Sequence, residues 1–328
     1  MTRFFQIRLG IVAAILMAFL GGFAPRPAVA EEFSAWLSAL RAEALEKGIR
    51  AEILDAALKD AAPIERVIEL DRSQPEFTLT FDEYLARVVP AARIEKGREK
   101  LRENRDILTA ISKRYGVQPR FLVAFWGIET DFGRLTGGFS VIRALVTLAY
   151  DGRRSAFFRK ELIAALHILN EGHIAPDAMT GSWAGAMGQT QFMPTTFRQA
   201  AVDYDGDGRR DVWTSWADAL ASAANYLAQS GWRGDETWGR RVRLPEGFDA
   251  SLVGLGVTKS VEAWQAMGVR RANGADLPKA EISGSIVLAK DGRGPAFLVY
   301  SNYRAILTWN RSTFFAVAVG TLADRIGD

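Results

Sequence analysis

Three things are missing from this 328-residue sequence. It has no cysteine, so disulfides, a thiol nucleophile, a zinc–thiolate site and lipid attachment through an N-terminal cysteine are all excluded. It has no apolar run after residue 30 that is long enough to span a bilayer. It also has almost no charge bias once its N-terminus is set aside. Arg3 and Arg8 precede an apolar run from Leu9 to Ala24, and Ala28-Val29-Ala30 form a small-x-small site before Glu31-Glu32. That order is a secretory leader, expected to be cleaved after Ala30. The segment 1–30 holds Arg3, Arg8 and Arg26 and no acid, so the whole surplus of three positive charges resides there. The basic pI gives no support for nucleic-acid binding. The reading is an exported, soluble protein without a membrane span after cleavage.

What is present is mostly helical periodicity. Phe33–Lys47, Ala51–Leu58, Ile64–Leu70 and Phe81–Val89 carry apolar residues at three- and four-residue intervals. Ala92–Tyr115 reads as one long charged helix ending at Gly116. Helices follow at 119–133, 141–149 and 155–170. From 236 to 300 short β-like runs alternate with Gly, Pro and Asp, and 310–326 returns to helix.

The stretch Phe125-Trp126-Gly127-Ile128-Glu129-Thr130-Asp131-Phe132-Gly133-Arg134 places one carboxylate at the end of an apolar helix. Phe125 and Trp126 flank Glu129 on one side. A poorly hydrated carboxylate holds its proton to higher pH, which suits a general acid. Glu129 equally suits a helix-end residue reaching solvent or pairing with Arg134. Ser182 to Pro194 is rich in glycine and small residues, and Gln189 and Gln191 bring amides suited to sugar hydroxyls. The same composition suits a tight packing corner. Arg153-Arg154 are surface arginines or a pair for an anionic or hydroxyl-rich ligand.

Asp203, Asp205 and Asp207 alternate as in the first half of a calcium loop, with Gly208 at position 6 and the Arg209 carbonyl at position 7. Position 12 is Thr214 instead of glutamate. Asp218 is the next candidate, either as a ligand of a lengthened loop or as part of a capping box with Ser215.

Together these motifs resemble the lytic murein transglycosylase B family, relatives of lysozyme that cut peptidoglycan. The resemblance runs from Gly127-Ile128-Glu129-Thr130 through Gly185-Ala186-Met187-Gly188, Gln191-Phe192-Met193-Pro194, Gly206-Asp207-Gly208 and Ala224-Asn225-Tyr226 to Asn310-x-Ser312-Thr313. It implies a mainly α (α+β) fold. Residues 31–98 form a helical N-terminal region, 99–235 with 301–328 a lysozyme-like core, and 236–300 a small β-rich insertion. It implies Glu129 as the single catalytic carboxylate and Ser182, Gln191, Tyr226, Asn310, Arg153 and Arg154 as residues of the sugar cleft. It also implies a structural Ca2+ held by Asp203, Asp205, Asp207, Arg209 and Asp218, no organic cofactor, peptidoglycan strands as the partner and a periplasmic location. Trp309 and Phe315 stand where a relative has tyrosines, so those hydroxyl hydrogen bonds are expected to be missing. A hydrolase of the same fold and a non-catalytic peptidoglycan-binding protein are the alternatives.

Overall fold

The computed structural model describes residues 27–73, 79–290 and 293–327. The leader expected at 1–30 lies outside them, apart from the helical residues 27–30. The helix α1 (Pro27–Glu46) opens the described chain. Its residues up to Leu40 count as one unit, and everything from Arg41 forms a second. No helix among the described residues is long and apolar enough to cross a membrane.

In the second unit come α2 (Ala51–Ala57), α3 (Glu65–Arg72) and α4 (Phe81–Val88). Thr80 and Glu83 close a reciprocal capping box at the start of α4, which satisfies two otherwise open N–H groups. The long charged helix expected at 92–115 is two helices, α5 (Ala91–Glu103) and α6 (Arg105–Tyr115). Asn104 breaks it: its backbone leaves the helical region, and its side-chain amide donates to the Lys100 carbonyl. Periodicity missed this because the apolar positions keep their spacing across the break.

Next are α7 (Pro119–Thr130), β1 (Phe139–Ser140), α8 (Val141–Asp151), α9 (Ser155–Asn170), β2 (Thr180–Gly181), α10 (Pro194–Ala200) and α11 (Trp216–Gln229). The strands β3 (Gly239–Arg243), β4 (Lys259–Ser260), β5 (Arg270–Arg271), β6 (Ser283–Lys290) and β7 (Arg293–Val299) follow, with α12 (Val261–Ala266) between β4 and β5. They form one antiparallel sheet in the order β4-β6-β7-β3-β5. The chain ends with α13 (Ser301–Trp309) and α14 (Thr313–Gly327). The fold is mainly α, with this five-stranded sheet and a short antiparallel pair of β1 and β2.

The sheet has two buried faces because side chains alternate along a strand. Val287, Ala289, Phe297 and Val299 join the main core with α7, α11 and α14. Ile286, Ala296, Leu298 and Tyr300 instead pack with Trp264 and Val261 of α12 in a smaller core. The sheet is therefore a wall shared by two cores. In the main core α7 is central: Phe121 to Gly127 are all buried, and the helix packs on α5, α6, α11 and α14. Phe81 of α4 and Phe314 of α14 meet edge to face at 5.3 Å, tying α4 to the same body.

Candidate active site

Pro119 starts α7 at a position where its missing N–H costs nothing, and apolar residues carry the helix through the core. It stops just beyond Glu129. Asp131, Phe132 and Gly133 have φ of 51°, 61° and 82°, three left-handed residues in a row. Only glycine adopts that region freely, so two of the three need support. Asp131 is held by Arg134 at 2.6 Å, with Arg93 and Lys96 each at 3.7 Å. Phe132 lies over Gly127, where a Cβ would come within 2.7 Å of its ring. Thr130, 1% exposed, accepts from the Gly133 N–H at 3.0 Å and donates to the Gln189 carbonyl at 2.7 Å. The turn is thereby fixed, and Glu129 is left on the last turn of the helix.

Glu129 is partly buried, and its Oε1 accepts a hydrogen bond from the Trp309 indole N–H at 2.9 Å. Burial pushes its pKa up to about 8, against the smaller downward pull of that bond. At neutral pH the carboxyl is largely protonated. An indole only donates, so Oε1 accepts, an arrangement that favours the proton on Oε2. Arg134, which the sequence offered as a partner for Glu129, pairs with Asp131 instead. Asp131 itself is the opposite case: burial alone would raise it, but Arg134, Lys96 and Arg93 hold it below the ordinary carboxylate range. The two acids, two residues apart, are thus separated in protonation state.

Trp309 sits in an aromatic cluster. Its ring lies 4.5 Å from Phe125, 5.2 Å from Phe192 and 5.3 Å from Tyr226, centroid to centroid. Tyr226 donates its hydroxyl to the Thr308 carbonyl at 2.8 Å, which anchors the end of α13. No hydroxyl stands at position 309, but a hydrogen bond is still made there. An indole N–H supplies a donor where a phenol was missing. Trp126, expected beside Glu129, is directed elsewhere and donates to Gln189 Oε1 at 3.1 Å.

The small-residue stretch lies directly against this turn. Gly188 has φ of 66°, and a Cβ there would come within 2.3 Å of the Val212 carbonyl oxygen, so only glycine fits. Gln189 is 7% exposed; its oxygen takes the Trp126 N–H, and its nitrogen donates to the Trp213 carbonyl. It is a structural hub instead of a sugar contact. Gln191, at φ of 52°, directs its amide nitrogen to the Thr136 and Gly188 carbonyls. Ser182 Oγ accepts from the Ala186 N–H, and Asn310 Oδ1 accepts from the Ser312 N–H. Tyr226 is thus joined to Glu129 through Trp309, and Gln191 through Phe192, its neighbour in sequence. Arg153 and Arg154 are held on Asp71 of α3. Arg153 Nε lies 2.8 Å from Asp71 Oδ2 and Arg154 bonds Oδ1. Asp71, 2% exposed, is the buried partner that no local motif revealed.

The acidic loop follows α10. Asp203, Asp205 and Asp218 each place a carboxylate oxygen within 4.8 Å of the others. Asp218 is fully buried, and burial raises its pKa. Its Oδ1 accepts from the Tyr204 N–H and its Oδ2 from the Asp211 N–H, both at 2.8 Å. Ser215 accepts from the Asp218 N–H at 3.2 Å, but the Asp218 side chain reaches into the loop and not back to the cap. Asp207 Oδ1 accepts from the Arg209 N–H at 2.8 Å, away from that trio. Three carboxylates around one point form a donor set for a hard cation.

The transglycosylase SLT domain model matches residues 32–324. The membrane-bound lytic murein transglycosylase B of Escherichia coli K12 is 31% identical over 255 residues, covering 74% of this chain and 66% of that protein. This chain therefore aligns with just under two thirds of its length. SltB3 of Pseudomonas aeruginosa, solved in complex with NAG-anhNAM-pentapeptide, is 48% identical with a TM-score of 0.86, covering 90% of this chain and 79% of that one. Escherichia coli Slt35, solved in complex with calcium, is 27% identical with a TM-score of 0.76, covering 89% and 92%. With most of its length matched by the family model and its fold shared with these enzymes, the chain belongs to the transglycosylase SLT domain family.

Proposed function

We propose that this protein is a lytic transglycosylase. It cleaves the β-1,4 bond between N-acetylmuramic acid and N-acetylglucosamine in peptidoglycan and leaves a 1,6-anhydromuramyl end. The observation that carries the reading is Glu129, set at the end of α7 with burial raising its pKa to about 8 and the Trp309 indole N–H on its Oε1. Glu129 protonates the bridging oxygen, and the C1–O bond breaks with its electron pair passing to that oxygen. The neighbouring acetamido oxygen of the substrate stabilises the cationic carbon. Glu129, now a carboxylate steadied by the indole N–H, takes the proton of the sugar's 6-hydroxyl, whose oxygen closes on C1. The acid is regenerated and no water is consumed.

A hydrolase with two carboxylates needs a second ionised acid near the first. Asp131, the nearest acid in sequence, is tied to Arg134, Arg93 and Lys96. Crystallisation of SltB3 with an anhydro sugar supports the lyase reading over a muramidase. Gln191, Tyr226, Ser182 and Asn310 are assigned to the glycan cleft. Arg153 and Arg154, still half-exposed beside Asp71, are assigned to its polar margin.

Asp203, Asp205 and Asp218 would hold a calcium ion, with Asp207 and the Arg209 carbonyl completing the loop. The ion would neutralise the carboxylates and stiffen the segment between α10 and α11, with no part in bond cleavage. Export with removal of residues 1–30 would place the enzyme in the periplasm, where peptidoglycan is found. The test is digestion of purified peptidoglycan with product mass determined. Anhydro-muropeptides, lighter by one water than the hydrolysis products, are expected. Products of hydrolytic mass, or binding without release, would overturn the assignment.

A further inference from the structure

A polar cavity lies at the opposite end of α13 from Trp309. It has a volume of about 350 Å³ and lies between the first residues of β6, the end of β7, the start of α13 and the turn before β3. This is within the size range of small-molecule sites. Its lining is polar, with Arg233, Glu236, Thr258, Ser285, Ser301 and Arg304 among its residues.

The walls are fixed from behind. Asn302 is fully buried; its oxygen accepts from the Arg233 N–H at 2.7 Å, and its nitrogen donates to the Arg233 and Glu236 carbonyls. That amide clamps the 233–236 turn and sets where both side chains emerge. Ser285, 1% exposed, accepts from Arg304 Nη2 at 3.0 Å and faces the Thr258 hydroxyl at 3.2 Å. Trp264 donates its indole N–H to the Gly284 carbonyl at 2.9 Å, behind the β6 wall.

Two features point to a ligand. Glu236 is 93% buried by its 7% exposure, yet only Oε1 is satisfied, by Arg233 at 2.8 Å; Oε2 has no hydrogen-bond partner. A buried carboxylate oxygen without a donor is costly and uncommon. The cavity also carries groups of both charges: Arg233, Glu236, Glu281 and Arg304. Arg233 is already paired with Glu236 Oε1, whereas Arg304 bonds the neutral oxygens of Leu255, Thr258 and Ser285, so Arg304 offers donors to an anion and Glu236 Oε2 an acceptor to a cation or N–H.

We propose that this cavity binds a small zwitterion of the amino-acid or short-peptide class. Its carboxylate would lie toward Arg304, and its amine or amide N–H toward Glu236 Oε2. An uncharged sugar would leave the Arg304 guanidinium without a carboxylate, and a simple anion would leave Glu236 Oε2 as it is. The same chemistry has two sources: a free amino acid, or the terminal unit of a peptide attached to a larger ligand. The inference does not rest on the activity assigned to Glu129.

The test is titration of the purified full chain with alanine, alanyl-alanine, alaninamide and N-acetylalanine, the chiral probes in both D and L forms. Binding is followed by calorimetry and by the NMR signal of the Trp264 indole N–H, which reports the wall without any mutation. Alanine or the dipeptide should shift that signal saturably, with Kd of about a millimolar or tighter for ligands this small. Alaninamide, lacking the carboxylate, should bind at least tenfold more weakly. N-acetylalanine, lacking the amine, should lose affinity to a smaller degree. Arg304→Gln should abolish the shift, and Glu236→Gln should weaken alanine more than N-acetylalanine. Tighter binding of the dipeptide than of alanine identifies a peptide terminus as the source; the reverse identifies the free amino acid. If neither shifts the Trp264 signal, or if alaninamide binds as well as alanine, the proposal is overturned, whatever the fate of the Glu129 assignment.

Discussion

The indole N–H of Trp309 lies 2.9 Å from Oε1 of Glu129, joining the last residue of α13 to the last turn of α7 across 180 positions of sequence. That one bond favours the proton on the other carboxyl oxygen, Oε2. It also opposes the burial that raises the pKa of Glu129 to about 8. On the proposed mechanism Glu129 must be protonated to begin the reaction, so activity should fall as pH rises through about 8. In Trp309→Phe the carboxylate loses its donor and its pKa should rise further. The alkaline limb of the pH–rate profile should move to higher pH while the rate at its plateau falls by about tenfold or more. An unmoved limb would remove Trp309 from the account.

Glu129→Gln keeps the shape of the side chain but cannot transfer a proton. The loss of a general acid commonly costs about 10²–10⁴-fold, and here one residue serves both half-steps, so the upper end or beyond is expected. Release of anhydro-muropeptides at near wild-type rate would contradict this. Asp131→Asn, the paired control, should retain the chemistry but weaken the turn.

The same substitution has a stability signature. The folded-state pKa of Glu129 is raised from 4.5 to about 8. Below pH 4.5 the acid is neutral in both states and costs nothing. As pH rises from 4.5 toward 8 the unfolded state ionises first, and stability is progressively lost. The full loss is at most about 5 kcal/mol by linkage, and smaller because the side chain is only partly buried. Glu129→Gln should therefore unfold at higher urea concentration than wild type at pH 8 and match it near pH 4. Equal midpoints at both pH values would show the group to be well hydrated.

Calcium should raise the melting temperature by mass action, and a chelator should lower it. Asp218→Asn should remove most of that response. In the metal-free protein its effect should be small, because the charged acceptor lost to the Tyr204, Asp205 and Asp211 N–H groups is offset by removing a buried charge that the fold disfavours. Asp207→Asn should have the smaller effect, since Asp207 lies outside the trio of carboxylates. A melting curve indifferent to both calcium and chelator would end the case for the ion.

Asp71 holds Arg153 and Arg154 at once. Burial alone would raise its pKa, but the two guanidiniums hold it below the ordinary range. Its contribution is therefore present above the unfolded pKa and lost as pH falls through the lower folded one. Asp71→Asn should cost roughly 1–2 kcal/mol, limited by the exposure of the arginines, and should shift glycan affinity by releasing them. Thermal melts between pH 2 and 7 with peptidoglycan binding check both parts.

Much of this was legible in sequence because it is local. The apolar run before Glu129, the proline that starts α7, the glycine at 133 and the alternating aspartates of the loop each state their chemistry within a dozen residues. What was hidden is what the fold brings together from afar. Trp309 reads as a lost hydroxyl until α13 delivers its N–H to Glu129. Gln189 reads as a sugar amide until Trp126 and the Trp213 carbonyl claim it. Asp71 carries no motif at all. Asn104 breaks a helix without disturbing its apolar spacing.

The shared sheet has one more consequence. Val287, Phe297 and Val299 line the helical core while Ile286, Leu298 and Tyr300 line the other, so β6 and β7 each give one apolar face to either core. Melting the small core would expose the wall of the large one. Heat should therefore disrupt both in a single cooperative calorimetric transition, and a chain cut down by excision of 239–299 should fail to fold instead of yielding a smaller enzyme.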